Sequence, residues 1–424
     1  MAKKTTKKTT LLIENIGQLV TMRGPIPRRG KAMSEIGIIE NAFVAVSGSE
    51  ITVIGHMNEI TGNVDPAENC SVISGEGRVV TPGLIDPHTH PVFARTRELE
   101  FEMRLAGKTY MEIAEAGGGI RSSVRHLREI DDKTLYKNAK KTIDTIMSYG
   151  VTSMEAKSGY GLSTEAEIKM LKVIQRLNER EAMDLYPTFL GAHEVPDEYR
   201  DDREAYIDLV INEMIPAVAE QKLAQFCDIF CEEGVFTVEE SRKILVAAKA
   251  AGMIPKLHAD ELKSTGGAEL AVELGAISAD HLGCISDKGI EMMAGSDTIA
   301  VLLPGTTFAL ALDEIAPARK MIDQGVAVAL STDCNPGSSM TESLPMIITL
   351  AALKLKMTAA EALSATTVNA ACAIGMGDNL GRIEIGLPAD IVVWDMRDYR
   401  ELPYHYGVNL VEKVIKNGKI VVGA

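Results

Sequence analysis

The sequence lacks any long uninterrupted apolar stretch. No run approaches the ~18 apolar residues that a bilayer-spanning helix needs, although 46% of the 424 residues are hydrophobic. The basic start is followed by a strand-like segment containing Glu14 and Asn15 rather than by an uncharged apolar core, so we predict no secretion signal. The sequence therefore predicts a large folded core and no membrane-spanning helix.

Cysteines are few and scattered, and none of them forms a Cys-x-x-Cys pair. The six are Cys70, Cys227, Cys231, Cys284, Cys334 and Cys372. This pattern argues against a disulfide framework and against a cysteine-rich structural zinc site. A reduced, cytoplasmic location fits it best.

Positive charge is also in short supply. Lysine and arginine number 44 against 59 aspartates and glutamates, which gives a net charge of -15. Such a surface repels phosphate backbones and anionic head groups. We therefore predict that the protein acts on a small molecule and binds neither nucleic acid nor membrane.

What the sequence does contain is a helical-repeat middle between two β-rich ends. Residues 11–78 show short β patterns separated by Gly, Asn and Ser turns, and residues 376–424 return to β patterns. We predict a small β-sandwich domain formed by both ends, a catalytic domain over residues 79–375 and a mobile basic tail over residues 1–10.

Eight apolar strand patterns follow one another through the middle of the chain, most of them separated by one helical stripe. They begin at the segment Val79–Pro91 and continue at 151–156, 185–190, 226–230, 254–257, 277–281, 299–303 and 326–330. This alternation is typical of an α/β fold, either a (β/α)8 TIM-like barrel or an open doubly wound sheet. Five of the strands end in His or Asp, and a barrel would bring those ends to one point. We therefore predict the barrel.

A long polar connection, residues 93–130, separates the first two strand patterns and contains three consecutive glycines. Loops of this length inside a compact domain are usually functional. We predict a lid or substrate-binding loop, with a disordered insertion as the alternative.

Four side chains at strand ends make a candidate metal site. His88 and His90 are two residues apart and would share one face of a strand, while His258 and Asp333 follow the fifth and eighth strands. Three imidazoles and one carboxylate suit one zinc or iron ion per chain, divalent or trivalent, and a water on that ion would become a nucleophile. The alternative is a structural site, which would normally use cysteine.

Two further side chains lie near these candidate ligands. Glu261, three residues after His258, is predicted to shuttle a proton; the alternative is a solvated acid at a helix start. His281 ends the sixth strand and is predicted to orient the water or stabilise an oxyanion; the alternative is a histidine satisfied within the core. The fourth strand ends in Cys231-Glu232-Glu233 without a lysine to bridge a second metal, so one metal is predicted.

Motifs at both ends of the chain resemble the amidohydrolase superfamily. They are Pro-Gly-Leu-Ile-Asp-Pro-His-Thr-His at 82–90 and Gly-Leu-Pro-Ala-Asp at 386–390. Four further motifs resemble one family of that superfamily, the imidazolonepropionases. They are Lys-Ser-Gly-Tyr-Gly-Leu at 157–162, Leu-Gly-Ala-His at 190–193, Ser-Ala-Asp-His-Leu at 278–282 and Thr-Asp-Cys-Asn-Pro-Gly at 332–337. The resemblance covers residues 11–424. It implies a homodimeric hydrolase of histidine degradation that opens the cyclic amide of 4-imidazolone-5-propanoate to N-formimidoyl-L-glutamate.

The resemblance also implies a set of substrate contacts. They fall on Arg97, Tyr160, His193, Glu261, Asn335, Gly337 and Ser338. Arg97 would bind the substrate carboxylate through paired donors, Tyr160 would lean over the ring, and the turn that starts at Asn335 would present backbone donors to the propionate. Ser338 departs from the threonine common in the family but keeps the hydroxyl.

Two other functions share these residues. A deaminase of a purine or pyrimidine ring, from the same superfamily, would use the same histidines, Glu261 and Asp333, but its neutral base would leave Arg97 without a carboxylate to bind. A non-catalytic barrel relative is the remoter alternative. Loss of a metal ligand would have favoured it, and none is lost.

Overall fold

The fold was examined in a computed structural model, which describes residues 7–108, 112 and 117–423. Within these residues two eight-stranded sheets organise the chain. One sheet comes from the two ends of the chain, and the other is a barrel-like sheet from its middle. The predicted α/β fold, a TIM-like barrel beside a β domain built from both ends, is confirmed.

The central sheet runs in chain order, and all of its neighbouring strands are parallel. Its strands are β6 (Leu84–Asp86), β7 (Val151–Lys157), β8 (Asp184–Ala192), β9 (Phe226–Cys231), β10 (Ile254–Ala259), β11 (Ser278–His281), β12 (Ile299–Leu302) and β13 (Val328–Leu330). Among the described residues β6 and β13 share no ladder. Asp86 at the end of β6 nevertheless accepts hydrogen bonds from the backbone N and Oγ1 of Thr332, at 3.0 and 2.6 Å, so the outer strands meet.

Helices connect these strands and cover the sheet. They are α1 (Glu98–Leu105), α2 (Ile120–Glu129), α3 (Asp132–Ser148), α4 (Thr164–Arg180), α5 (Arg203–Leu209), α6 (Ile215–Glu220), α7 (Val238–Ala250), α8 (Gly267–Leu274), α9 (Asp287–Ala294), α10 (Pro304–Ala309), α11 (Ala318–Asp323), α12 (Leu344–Lys354), α13 (Ala359–Ala365), α14 (Val368–Ala373) and α15 (Glu401–Tyr404). Helix α7 begins with a capping box between Thr237 and Glu240, a motif in which the cap contributes about 1 kcal/mol. None of the described helices is both long and apolar enough to cross a bilayer.

The second sheet joins the two ends of the chain. Its strands are β1 (Thr9–Val20), β2 (Ile38–Ser47), β3 (Glu50–His56), β4 (Pro66–Ser74), β5 (Val79–Pro82), β14 (Ile391–Trp394), β15 (Val411–Lys416) and β16 (Lys419–Val422). Strand β5 lies between β1, to which it is parallel, and β14, to which it is antiparallel. Leu19, Val80 and Ile391, one from each of these strands, belong to the buried core of this sheet.

The predicted first barrel strand is divided between the two sheets. Residues 79–82, assigned to the catalytic domain from the sequence, pair with the terminal sheet, and the barrel strand starts at Leu84. The chain passes from one sheet to the other at Gly83, where a Cβ would overlap the side chain of Thr152. The other predicted domain boundaries stay predictions.

Two predicted unstructured segments contain regular structure where they are described. Residues 1–6 of the predicted tail, and 109–111 and 113–116 of the predicted loop, lie outside the described residues. Lys7 and Lys8 form ion pairs with Glu50 and Asp65, and β1 already begins at Thr9. The connection 93–130 contains helices α1 and α2 rather than a loop alone.

Candidate active site

His88 and His90 lie just beyond β6, in the segment that enters the mouth of the barrel. The backbone N of His88 donates to Ser331 Oγ, and that of His90 donates to the Cys334 carbonyl, both at 2.9 Å. Both acceptors lie past the end of β13. The two imidazoles are therefore positioned by bonds to the last strand of the barrel, and not by the alternation of a strand as predicted.

The four predicted metal ligands converge at this mouth. The donor atoms of His88, His90 and Asp333 lie within 4.8 Å of one another, and Nε2 of each histidine is 3.5 Å from Asp333 Oδ1. The His258 ring lies 4.4 Å from the His88 ring, centroid to centroid. The structure also places His281 here, since its donor atom lies within 4.8 Å of those of His88 and His258.

Several nitrogen atoms of this cluster are buried without a hydrogen-bond partner among the described residues. They include Nε2 of His88, Nδ1 of His90 and Nε2 of His281. An unsatisfied buried polar atom costs about 1–3 kcal/mol. Burial also holds the pKa of His88 and of His90 well below the usual range, so both rings are neutral, the form that binds metal. The residues present therefore fit a metal ion held by imidazole nitrogens and one carboxylate oxygen.

Carboxylates behind the imidazoles hold two of them in place. His88 donates from Nδ1 to Asp280 Oδ2 at 2.6 Å, which directs its Nε2 into the cluster. His258 Nδ1 lies 3.0 Å from Asp228 Oδ2 without the alignment of a hydrogen bond. Burial alone would lower the pKa of His258, but the Asp228 charge outweighs burial and raises it. Outer carboxylates of this kind fix the orientation of metal-binding imidazoles.

A buried charged layer beneath the imidazoles was missed by sequence reasoning. Lys157 Nζ lies 2.6 Å from Glu155 Oε1 and 2.7 Å from Asp228 Oδ2, and all three side chains are fully buried. A signal for this layer was available, because strands buried on both faces are normally apolar. A charge inside such a strand is costly unless it is paired, so charged residues in these strands predict buried ion pairs.

Glu261 and His281 face each other beside the cluster, with Glu261 Oε2 3.6 Å from His281 Nε2. Burial, reinforced by the nearby Asp333 charge, raises the pKa of Glu261 to about 8. A carboxyl group with a pKa near neutrality can both accept and donate a proton. The backbone is strained close by, since His281 and Asp333 have φ values of +75° and +50°, and such strain is concentrated at functional sites.

Aromatic side chains line the pocket next to His90. The His193 ring is stacked at 5.3 Å from the His90 ring and lies 5.5 Å from the Tyr160 ring. His193 Nδ1 is 2.9 Å from the Gly159 carbonyl oxygen, which only accepts, so Nδ1 carries the proton and Nε2 is left as an acceptor. Burial lowers the pKa of His193 to about 3 and raises that of Tyr160. Both groups are therefore neutral near pH 7.

The predicted carboxylate contacts already have partners within the chain. Arg97 donates to Glu100 Oε2 from Nε and Nη2, at 2.8 and 2.6 Å. The backbone N atoms of Gly337 and Ser338 both donate to Asn335 Oδ1, at 2.8 Å. The turn predicted to present backbone donors to the propionate therefore has these two donors bound to the Asn335 side chain. A ligand would have to displace these internal acceptors.

Comparison with protein-family models gives a match to the amidohydrolase family over residues 79–421. Three curated relatives, all imidazolonepropionases, align along nearly the whole chain. The protein of Alkaliphilus oremlandii is 51% identical over 97% of this chain and 97% of its own length. The protein of Geobacillus kaustophilus is 50% identical over 97% of this chain and 98% of its own length. The protein of Clostridium tetani is 49% identical over 98% of this chain and 99% of its own length.

Solved structures of lower identity share the fold. Ochratoxinase from A. niger superposes with a TM-score of 0.71 at 16% identity, covering 99% of this chain and 96% of that one. The 5-methylcytosine deaminase of Klebsiella pneumoniae, liganded with phosphonocytosine, superposes with a TM-score of 0.70 at 16% identity, covering 97% of this chain and 98% of that one. At such identities the likeness establishes the fold alone. The family match and the curated relatives go further, and together they show that the chain belongs to the amidohydrolase family and, within it, to the imidazolonepropionases.

Proposed function

We propose that the protein hydrolyses 4-imidazolone-5-propanoate to N-formimidoyl-L-glutamate. The observation that carries this proposal is identity of about half the residues, over nearly the full length, with several imidazolonepropionases. The barrel mouth supports it, because it combines a cluster of candidate ligands, a buried acid and arginines near one turn. The enzyme is accordingly a hydrolase of a cyclic amide C-N bond.

We propose that His88, His90, His258 and Asp333 would hold one metal ion, zinc or iron. The unpartnered Nε2 of His88 and the convergence of His88, His90 and the Asp333 carboxylate support this ligand set. When bound, the ion supplies Lewis-acid polarisation of a carbonyl and makes water more acidic. Asp280 and Asp228 keep two of the rings oriented toward it.

Glu261 is the proposed carrier of the transferred proton. It takes one proton from the attacking water as the water oxygen bonds to the ring carbonyl carbon. It then gives that proton to the ring nitrogen as the C-N bond breaks, which leaves a carboxyl group and the amidine nitrogen of the N-formimidoyl group. The raised pKa of Glu261 supports this double role.

The other pocket residues would bind and orient the ring. His281 would donate from Nε2, in the tautomer that carries the proton there, to the oxyanion that develops on the carbonyl. His193 Nε2 would accept from a ring N-H, and the Tyr160 hydroxyl would donate to the ring. These contacts would exclude water from one face of the substrate.

The decisive experiment is a hydrolysis assay with freshly generated 4-imidazolone-5-propanoate, run beside cytosine, guanine and adenosine, with the metal content measured on the same sample. We expect turnover of the imidazolone alone, with about one zinc or iron ion per chain. Release of ammonia from one of the bases would instead identify a deaminase. Absence of turnover on every substrate would support a non-catalytic relative.

Arg97→Ala is expected to raise KM and to lower kcat/KM by about 30- to 150-fold, or about 2–3 kcal/mol, through lost carboxylate binding. The measurement is steady-state kinetics with the imidazolone substrate. Arg400→Ala is a matched control, because Arg400 is exposed and pairs with Asp398 outside the barrel. Equal kinetic constants for the Arg97 variant and this control would remove Arg97 from the pocket.

A homodimer and a cytoplasmic location remain proposals. The first rests on the family resemblance and the second on the scattered cysteines, all of which are free thiols. Light scattering of the purified protein would test the first, and fractionation of the source cells would test the second.

A further inference from the structure

Three charged side chains of one short segment lie at the rim of the pocket. Arg97 precedes helix α1, while Glu100 and Arg104 are within it. The inference drawn from them deepens the proposed function, because it concerns how the carboxylate of that substrate is recognised. Glu100 and Arg104 are not among the contacts that the family resemblance implies.

The Arg97 guanidinium binds the carboxylate of Glu100. Two guanidinium nitrogens, Nε and Nη2, contact the same oxygen, Glu100 Oε2. The two side chains are only 17% and 13% exposed, so the pair is sheltered from water. The guanidinium also lies against Gly337, where a Cβ would overlap Nη1. The Arg97 fork therefore faces the proposed propionate turn with an internal carboxylate in place.

Arg104 reaches the same turn from the other end of α1. Its Nη2 donates to the Gly337 carbonyl at 3.3 Å, and its side chain is half-buried. Burial lowers the pKa of Arg104, and the nearby charge of Arg97 lowers it further. The segment thus brings two guanidinium groups to one glycine, and Glu100 is the carboxylate that pairs with Arg97. An anion arriving at this turn would meet a second positive charge that Glu100 only partly balances.

We propose that Arg104 is a second carboxylate-binding residue, and that Glu100 is an internal stand-in which the substrate carboxylate displaces from Arg97. Displacement exchanges one charge-assisted contact for another, so the guanidinium of Arg97 is never left buried without an acceptor. A neutral ring has no group that could replace Glu100. Glu100 therefore adds selectivity against uncharged rings, at some loss of affinity for the correct substrate.

The test is calorimetric binding of two unreactive probes to the metal-loaded protein, imidazole-4-propanoate and its neutral amide. We expect the wild-type protein to prefer the carboxylate probe. Arg104→Met should weaken binding of that probe by about 10-fold and leave amide binding unchanged. Arg104→Lys keeps the charge but not the paired donors. Its affinity for the carboxylate probe should therefore lie between those of the wild-type protein and Arg104→Met. Glu100→Gln should bind the carboxylate probe several-fold more tightly and lower KM for the imidazolone substrate.

Arg400→Met removes the same charge far from the pocket and serves as the matched control, and thermal melting of each variant checks its folding. A wild-type protein without preference for the carboxylate probe overturns the inference. An Arg104→Met protein that keeps the full preference also overturns it. So does a Glu100→Gln protein that binds the carboxylate probe more weakly than the wild-type protein. If Arg104→Met does not fold, the Arg104→Lys and Glu100→Gln results decide. Because probe binding needs no turnover, failure of the proposed reaction would be seen separately, in the hydrolysis assay of the wild-type protein.

Discussion

Replacing His258 by alanine is expected to abolish both metal binding and hydrolysis. His258 lies against His88 in the cluster of unpartnered imidazoles and is held from behind by Asp228. Loss of an outer partner alone typically costs 10- to 100-fold in metal affinity, and loss of the ligand itself should cost more. The measurements are metal analysis after gel filtration and turnover of the imidazolone substrate.

The matched control for this variant is His405→Ala, because His405 is exposed and lies outside the barrel mouth. It should keep both the metal and the activity. A His258→Ala protein that stays active without metal would refute the metal site as a whole. One that keeps both metal and activity would remove His258 from the ligand set and leave the other ligands in place.

Lys157→Met is expected to destabilise the fold by about 3–5 kcal/mol. The ammonium group is the closest cation to both Glu155 and Asp228, and all three groups are fully buried. Burial alone would lower the pKa of Lys157, but Asp228 and Glu155 outweigh it and raise the pKa, which keeps the ammonium charged. Without it Glu155 and Asp228 would lose the cation that pairs with both of them in the barrel interior. Urea unfolding monitored by circular dichroism measures the loss.

A surface lysine provides the comparison. Lys243→Met breaks an exposed pair with Glu204 and should change the free energy of unfolding by less than about 1 kcal/mol. Adding Glu155→Gln to Lys157→Met removes one unbalanced charge and should restore part of the lost stability. If Lys157→Met were as stable as the Lys243 variant, the buried layer would have no structural role.

Much of the barrel could be predicted because its strands combine burial on both faces with regular spacing. The pattern at 226–230 corresponds to β9, Phe226–Cys231, and the pattern at 254–257 to β10, Ile254–Ala259. Helix interruptions were harder to foresee. The apolar pattern over 359–374 predicts one helix, but the structure has two, α13 and α14. Thr366 and Thr367 donate their hydroxyls to the Ala362 and Leu363 carbonyls, and such local bonds compete with helix continuation.

The candidate ligands could be predicted from a general rule, because polar side chains at strand ends meet at one face of a barrel. The carboxylates that orient these ligands could not be predicted, because they depend on contacts between distant parts of the chain. His88 and Asp280, for example, are 192 residues apart in sequence and bonded in the structure. The pairing of Arg97 with Glu100 is different, since it is a local contact between the residue that precedes α1 and the first turn of that helix. The sequence predicts a loop in place of α1, and a loop does not imply this contact.

The position of β5 has a consequence for how the protein is made. Strand β5 leads directly into the barrel, yet one of its two neighbours, β14, begins at Ile391. During translation the ribosome must therefore complete every barrel strand before β5 can pair along that edge. Until then the growing chain exposes an unpaired strand edge, the kind of surface on which nascent chains associate. The late synthesis of β14 thus sets when this edge of β5 becomes covered.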